Sequence, residues 1–138
     1  MQERPWTEGA EGLVTRDVGF CYVLVRDTNA ECMVRCIRAV LDAAKTAGGD
    51  AASFDASMVL VTFGLVSGEP EDAAQRTAFV HELAQDVGQD VAYVHGRREA
   101  LVGSVGTQGR RSYTFLFTGL RECLRQLADL PFGSGRAV

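Results

Sequence analysis

Two arginines near the end of the chain, Arg121 and Arg125, are the residues best spaced to bind an anion. They are four residues apart in a helical pattern, so both guanidinium groups share one face and can contact a single phosphate. Lys45 is the only lysine of the chain, so side-chain contacts to phosphate would come mainly from arginine. The alternative is a surface stripe in which the arginines pair with Glu122 or Asp129.

A glycine-spaced segment precedes these arginines, and apolar runs lead into it and out of it. Gly103, Gly106 and Gly109 recur at a spacing of three, which suits a β-hairpin that needs positive φ and close backbone approach. Arg110 and Arg111 follow directly and could hold phosphate, although arginines of an exposed hairpin are more often solvated or paired at an interface. The glycines are most simply explained by the backbone of the hairpin.

The other reactive side chains are isolated along the chain. Asp27 follows an apolar run that is predicted to end as a strand, where an aspartate in the turn is common. His95 is interpreted as a polar residue at a strand end, and the histidines are too few for a His-rich metal site. The cysteines contain no C-x-x-C pair, and Cys32 and Cys36 share one helical face. This pattern favours reduced, partly buried thiols over zinc or a disulfide.

The composition predicts one globular domain. With 138 residues the chain is long enough to bury a core, and 46% hydrophobic and 23% charged residues exclude a disordered tail. The net charge of −4 argues against a general nucleic-acid binder. No stretch approaches transmembrane length and no signal-peptide pattern is found, which predicts a cytoplasmic protein with no membrane segment in this chain.

Apolar periodicity predicts the individual elements. Thr28 or Asn29 caps a first helix, and Gly48 and Gly49 end it. Pro70 opens a second helix, and a third covers about Leu120 to Ala128. The predicted strands are Val18 to Val25, Ala51 to Phe54, Met58 to Phe63, Val91 to Val94, Ala100 to Val105 and Ser112 to Phe117.

The order of these elements, β-α-β-β-α-β-β-β-α, predicts the fold class. Hairpins mixed with helical crossovers indicate an α+β sandwich with a ferredoxin-like β-α-β-β-α-β core. In this arrangement the helices pack on one face of a mostly antiparallel sheet. Residues 1–16 are predicted to form an N-terminal arm, and residues 17–138 the domain; Pro131 and the glycines after it are predicted to form a loose tail.

The glycine-spaced segment resembles the hairpin of class III nucleotide cyclases, the adenylate and guanylate cyclases, which typically reads like GNVGSEGRRDYTV. Residues 102–114 of this chain read VGSVGTQGRRSYT. The three glycines followed by Arg-Arg-Ser-Tyr-Thr make the resemblance fairly specific. The predicted element order also matches the cyclase catalytic domain from about Val18 to Leu127. The resemblance therefore implies a nucleotide cyclase-like fold for residues 17–138.

At three of the positions that the resemblance implies for the site, this chain has the residue type that the family uses. Residues 23–27 read VLVRD and resemble the family motif VLFADI, so Asp27 falls on the first metal-ligand position. Thr118 falls on the position of the purine-contacting Asp or Thr. Arg125 falls on the arginine that the family uses on the phosphates in the transition state.

Three other positions depart from the family. Residues 52–64 read ASFDASMVLVTFG where the family reads like DKFIGDAVLAVFG. Ser57 replaces the second metal Asp, Ser53 replaces the purine-contacting Lys, and Arg121 replaces the Asn of the Asn-x-x-x-Arg pair. Asp55 is a rescue candidate, because period-two geometry keeps it on the face of Ser57 if the strand continues unbroken; otherwise it is a solvated turn residue.

These departures bear on the chemistry that the resemblance implies. Cyclisation needs the ribose 3′-hydroxyl to attack the α-phosphate while pyrophosphate leaves, and two divalent ions lower the hydroxyl's pKa and clamp the phosphates. Hard cations such as Mg²⁺ prefer carboxylate oxygens, which a serine hydroxyl does not supply. Losing preorganised electrostatics of this kind typically costs ~10²–10³ in rate per group.

The sequence therefore predicts a diverged, catalytically inactive class III cyclase homology domain with a regulatory, dimerisation or nucleotide-sensing role in signalling. Such domains dimerise head to tail, so the resemblance implies a homodimer or a cyclase-like partner, with ATP or GTP as the ligand. One alternative is an active adenylate or guanylate cyclase, a phosphorus-oxygen lyase that requires Mg²⁺ or Mn²⁺ and acts either alone or as half of a heterodimer. Another is a nucleotide-binding domain without turnover that uses Arg121 and Arg125.

Overall fold

The computed structural model describes residues 14–55, 57–63, 73–107 and 110–138, without the side chains of 52–55, 102, 104–107 and 110–114. Besides a 3₁₀ turn at Gly88–Asp90, the elements in chain order are β1 (Val14–Val25), α1 (Ala30–Ala47), β2 (Asp50–Asp55), β3 (Met58–Phe63), α2 (Ala73–Val87), β4 (Val91–Thr107), β5 (Arg110–Leu116), α3 (Leu120–Asp129) and β6 (Gly135–Ala137). Pro70, at the predicted start of the second helix, and Gly109 lie outside the described residues.

One sheet organises the molecule. Its strand order is β2-β3-β1-β4-β5, and β6 pairs with β4. The pairs β1–β3, β1–β4, β2–β3 and β4–β5 are antiparallel, whereas β4–β6 is parallel. The segment β2-β3-β1-β4 has the strand order of a ferredoxin-like core. The predicted α+β fold with a mostly antiparallel sheet is confirmed, and α1 and α2 share one face of the sheet as predicted.

The alternation of side chains along β1 supplies two core clusters. Cys21, Val23 and Val25 pack with the buried residues of α1 and α2 and form what we term the first cluster. Phe20 and Tyr22, of the opposite parity, pack with α3 and form the second cluster. Since neighbouring side chains of a strand point to opposite faces, α1 and α2 lie together on one face and α3 contacts the other.

Local signals set the ends of α1 as the sequence predicts. Asn29 is the N-cap, and its side chain accepts a hydrogen bond of 2.8 Å from the backbone N–H of Cys32. Gly48 ends the helix with a φ of 82°, a conformation that glycine adopts without steric cost. The first helix thereby begins directly after the loop that carries Asp27.

The prediction of two separate strands at Val91–Val94 and Ala100–Val105 is wrong, because β4 runs without a break from Val91 to Thr107. The polar stretch between the two predicted strands pairs with β1. β1 begins at Val14 and so includes the last three residues of the predicted N-terminal arm. Asp17 lies opposite Glu99 and forms an ion pair of 3.1 Å with Arg97. Residues 97 and 99 are charged because they are exposed on the sheet, not because the strand ends there.

The prediction of a loose C-terminal tail is also wrong, since β6 joins the sheet. The N–H of Gly133 donates to the carbonyl of Val91 and that of Val138 to the carbonyl of His95, both at 2.8 Å. A Cβ at Gly135 would collide with the ring of Tyr93. The glycine that indicated a loose tail instead permits the close approach of the last strand to β4.

Candidate functional site

The metal-ligand positions of the resemblance meet at one end of the sheet. The N–H of Val25, the last residue of β1, donates to the carbonyl of Ser57 at 2.7 Å. Asp27 is exposed two residues further along, and Ser57 lies in the turn between β2 and β3. Asp55 pairs with Met58, which pairs in turn with Leu24 of β1. Asp27, Ser57 and the backbone of Asp55 are therefore neighbours.

This group of residues does not fit a two-ion site. Among the residues whose side chains are described, no cluster of three His, Cys, Asp or Glu groups includes Asp27. Ser57 offers a neutral hydroxyl where a hard divalent ion prefers a carboxylate. Because β2 ends at Asp55 and a turn intervenes, the strand does not continue unbroken to Ser57. The condition for Asp55 to share the face of Ser57 is therefore not met.

Thr118 lies away from these residues, where the chain leaves β5. It lines an open cleft of about 400 Å³ together with Thr15, Glu99, Ala100, Leu101, Leu116 and Phe117. The ring of Phe117 packs on that of Phe20, with the ring centroids 5.0 Å apart. From Phe20 to Val25 the strand advances about 17 Å at roughly 3.3 Å per residue, and Asp27 lies beyond. Within one chain, the predicted purine position at Thr118 and the predicted metal position at Asp27 therefore lie apart.

Ser53, the other predicted purine position, is placed through its backbone. It pairs with Leu60 of β3, and the register shifts between Ala51 and Ser53. β2 forms one end of the strand order, and β5, which leads to Thr118, forms the other. The contact of Ser53 with a purine stays a prediction, because its side chain is outside the described part.

The two arginines of α3 differ in their surroundings. Both are exposed, and Arg125 donates from Nε and Nη2 to Oε1 of Glu122 at 3.0 and 2.7 Å. Its Nη1 lies 3.8 Å from a carboxylate oxygen of Asp129. Arg121 forms no ion pair with any residue of the described ranges. Arg125 therefore has the surface pairing that the sequence left open, while Arg121 is available to an anion.

The ion pair between Arg125 and Glu122 shifts the pKa of both side chains. The hydrogen bonds from Arg125 lower the pKa of Glu122 from its ordinary value, and those to Glu122 raise the pKa of Arg125. Glu122 therefore remains a carboxylate to a lower pH than a free glutamate. At neutral pH a phosphate that approaches Arg125 competes with this carboxylate.

The predicted glycine hairpin is present. β4 and β5 pair antiparallel, with Gly106 opposite Arg111 and Thr107 opposite Arg110. Gly103 has a φ of 142°, the positive value that the sequence predicts for this segment. The phosphate-binding role of Arg110 and Arg111 stays a prediction, since only their backbone is described.

The sequence did not predict a polar junction at Asp90 beside Asp27. The carboxylate of Asp90 lies 3.4 Å from Nε of Arg26 and 3.2 Å from Nη2 of Arg35. The N–H of Arg26 donates to the carbonyl of Asp90 at 2.8 Å. The only signal in the sequence is the isolated acidic residue before the apolar start of β4. Arg35 precedes Asp90 by 55 residues, so no local pattern in the sequence reveals this contact.

His95 was expected at a strand end and instead lies within the continuous β4. Its Nδ1 is buried with no hydrogen-bond partner in the described structure. Burial, and secondarily the positive charge of Arg76, lower its pKa from the ordinary value. A neutral imidazole packed beside Tyr93 is consistent with a structural residue rather than a catalytic base.

Comparisons with known proteins identify the fold. No protein-family model and no curated protein matches the sequence. A bacterial light-regulated adenylyl cyclase matches with a TM-score of 0.71 and 11% identity over 93% of this chain and 45% of the other. The guanylyl cyclase Cya2 matches with a TM-score of 0.63 and 18% identity over 83% and 71% of the two chains.

A dimeric guanylyl cyclase domain of the RhoGC fusion protein from the aquatic fungus Blastocladiella emersonii also matches. Its TM-score is 0.68 at 11% identity, over 87% of this chain and 78% of that one. At such low identities these similarities establish the fold alone. Within the described residues, no helix is long and apolar enough to span a membrane.

Proposed function

We propose that this chain, which has the fold of nucleotide cyclase catalytic domains, is a class III cyclase homology domain that does not cyclise nucleotides by itself. It serves a regulatory, dimerisation or nucleotide-sensing role in signalling in the cytoplasm. The observation that supports the proposal is Ser57, whose backbone carbonyl accepts a hydrogen bond from Val25, two residues before Asp27, and whose side chain is a neutral hydroxyl where the resemblance implies a second carboxylate. The test is an assay of cyclic nucleotide formation from ATP or GTP in the presence of Mn²⁺.

An active cyclase formed with a second chain is the other candidate. Asp27, Thr118 and Arg125 keep conforming residue types, and all three are exposed. The distance along β1 between the cleft of Thr118 and Asp27 means that a complete site would need contributions from two chains. A partner that supplied the missing carboxylate would make the pair active, with Mg²⁺ or Mn²⁺ bound partly by Asp27.

We predict that the chain associates with itself or with a cyclase-like partner. Leu116, which lines the Thr118 cleft, is 50% exposed, and Val14 is 45% exposed. Burying such apolar side chains stabilises an interface. Sedimentation should detect a dimer whose dissociation constant rises in Leu116→Glu. Val34→Glu changes an equally exposed apolar residue on α1 and is the matched control.

A chain that is strictly monomeric at high concentration, with no partner recovered from the native cell, would contradict this prediction. So would equal effects of Leu116→Glu and Val34→Glu, because the interface would then not involve the cleft.

We also predict weak binding of nucleoside triphosphates at α3. Arg121 and Arg125 share a helix face, and phosphate attraction does not require the geometry of a transition state. Binding should show little preference between ATP and GTP, because Ser53 lacks the lysine contact. Calorimetry should show that Arg121→Ala/Arg125→Ala abolishes it and that raised salt weakens it.

Glu122→Gln provides the opposing variant. It removes the carboxylate that competes for Arg125 while keeping the size of the side chain, so triphosphate should bind more tightly than to the wild type. Arg97→Ala, which removes an exposed arginine of β4, is the control and should leave affinity unchanged. Absence of wild-type binding at millimolar ATP and GTP would contradict the prediction and leave a purely structural role.

A further inference from the structure

Two cysteines and an aspartate converge where α1 begins. Cys32 and Cys36 are one turn apart on α1, and Asp90 ends the 3₁₀ turn before β4. The two Sγ atoms and a carboxylate oxygen of Asp90 all lie within 4.8 Å of one another. Cys36 is buried, whereas Cys32 and Asp90 are partly exposed, so the cluster has a closed side and a side open to water.

These three side chains have the chemistry of a metal site. Zn²⁺ bonds to thiolate sulfur at about 2.3 Å and to carboxylate oxygen at about 2.0–2.2 Å, so the ligand atoms around one ion lie within about 4 Å of each other. Small side-chain rotations would bring the present atoms to that separation. All four cysteines of the chain are free thiols, so both sulfurs are available. We propose that Cys32, Cys36 and Asp90 bind a thiophilic divalent ion such as Zn²⁺, with water as the fourth ligand.

Neighbouring arginines balance the charge of this site. Two thiolates and a carboxylate exceed the charge of a divalent ion by one negative unit. Arg35 lies within 3.2 Å of Asp90 and 3.7 Å of Sγ of Cys32, and so offsets that charge. Arg26 lies 3.4 Å from the other carboxylate oxygen. A carboxylate has about four acceptor positions, so Asp90 can keep these contacts while it binds an ion.

The third ligand distinguishes an ion site from a thiol pair. A disulfide between Cys32 and Cys36 would need no carboxylate nearby. Asp90 arrives from a different element and is held against the cysteines by Arg35. This site is separate from the family position at Asp27 and uses softer ligands. The backbone N–H of Arg26 donates a hydrogen bond to the carbonyl of Asp90, so an ion bound at Asp90 would also fix the loop that leads to Asp27.

The test is titration of the reduced full chain with Cd²⁺, followed by the ultraviolet thiolate-to-metal charge-transfer absorption. The wild type should saturate at one ion per chain, and added Zn²⁺ should reverse the signal. The cysteine thiols must deprotonate to bind a metal ion. Affinity should therefore increase as the pH is raised, with release of protons.

Cys32→Ser and Cys36→Ser should each lose the one-to-one signal. Asp90→Asn should bind at least about tenfold more weakly, since even outer partners of a metal contribute roughly 10–100-fold to affinity. Cys123→Ser removes a thiol of the second cluster and should bind as the wild type does. Cys36 is buried, so if Cys36→Ser fails to fold, the partly exposed Cys32 still provides the decisive variant. Absence of a signal in the wild type, or a full signal in Cys32→Ser, would overturn the site.

Discussion

The purified chain, incubated with ATP or GTP and Mn²⁺, is expected to form no cAMP or cGMP above a protein-free blank. In the proposed site, Ser57 offers a hydroxyl near the end of β1 instead of the second carboxylate, and Ser53 stands at the position proposed for the purine-contacting lysine. The loss of one preorganised charged group typically costs ~10²–10³ in rate, although several losses need not add. Cyclic nucleotide is measured by chromatography with mass detection.

Ser57→Asp sharpens this prediction by replacing the missing charge. Ser57 is half-buried in the β2–β3 turn next to the end of β1, so a carboxylate there would lie near Asp27. The variant should bind Mn²⁺ more tightly than the wild type, and Asp27→Ala/Ser57→Asp should lose that gain. Cyclic nucleotide from the wild type that disappears in Asp27→Ala would contradict the inactive interpretation. Activity only in the presence of a second cyclase-like chain would support the heterodimer instead.

Phe20→Ala is expected to lower the free energy of unfolding by about 3–5 kcal/mol, because truncating a buried phenylalanine removes its transfer energy and leaves a cavity. Phe20 is fully buried at the centre of an aromatic group with Tyr22, Phe115 and Phe117. Two of these rings lie in β5 and directly after it, so the loss should spread to the Thr118 cleft. Urea denaturation measures the change.

The control for this substitution is Val34→Ala, which truncates a residue that is 53% exposed on α1 and should change stability by about 0.5 kcal/mol or less. Hydrogen exchange should also increase in β5 and α3 of Phe20→Ala more than in α1. Equal destabilisation by the two variants would show that the aromatic group is not the support of this part of the fold.

The elements that the sequence predicts correctly are those with local signals. The cap at Asn29 and the end at Gly48 follow from single residues with defined backbone preferences. The prediction was wrong within β4, where the charged residues 97–99 suggested that one strand ends and another begins. Those residues are paired with β1, and pairing between distant segments leaves no trace in local hydropathy. The same reason explains why β6 was missed, since its partner precedes it by about forty residues.

The sequence by itself determined the helices, the hairpin and the residue types at the family positions, because turn chemistry and side-chain periodicity act over a few residues. The tertiary structure alone decided that Asp90 meets Cys32 and Cys36 and that Thr118 lies apart from Asp27. Both outcomes depend on strand order, which sets the distances between segments far apart in the chain. The sequence left open whether Arg125 pairs with Glu122. The side-chain geometry on the exposed surface of α3 shows that it does.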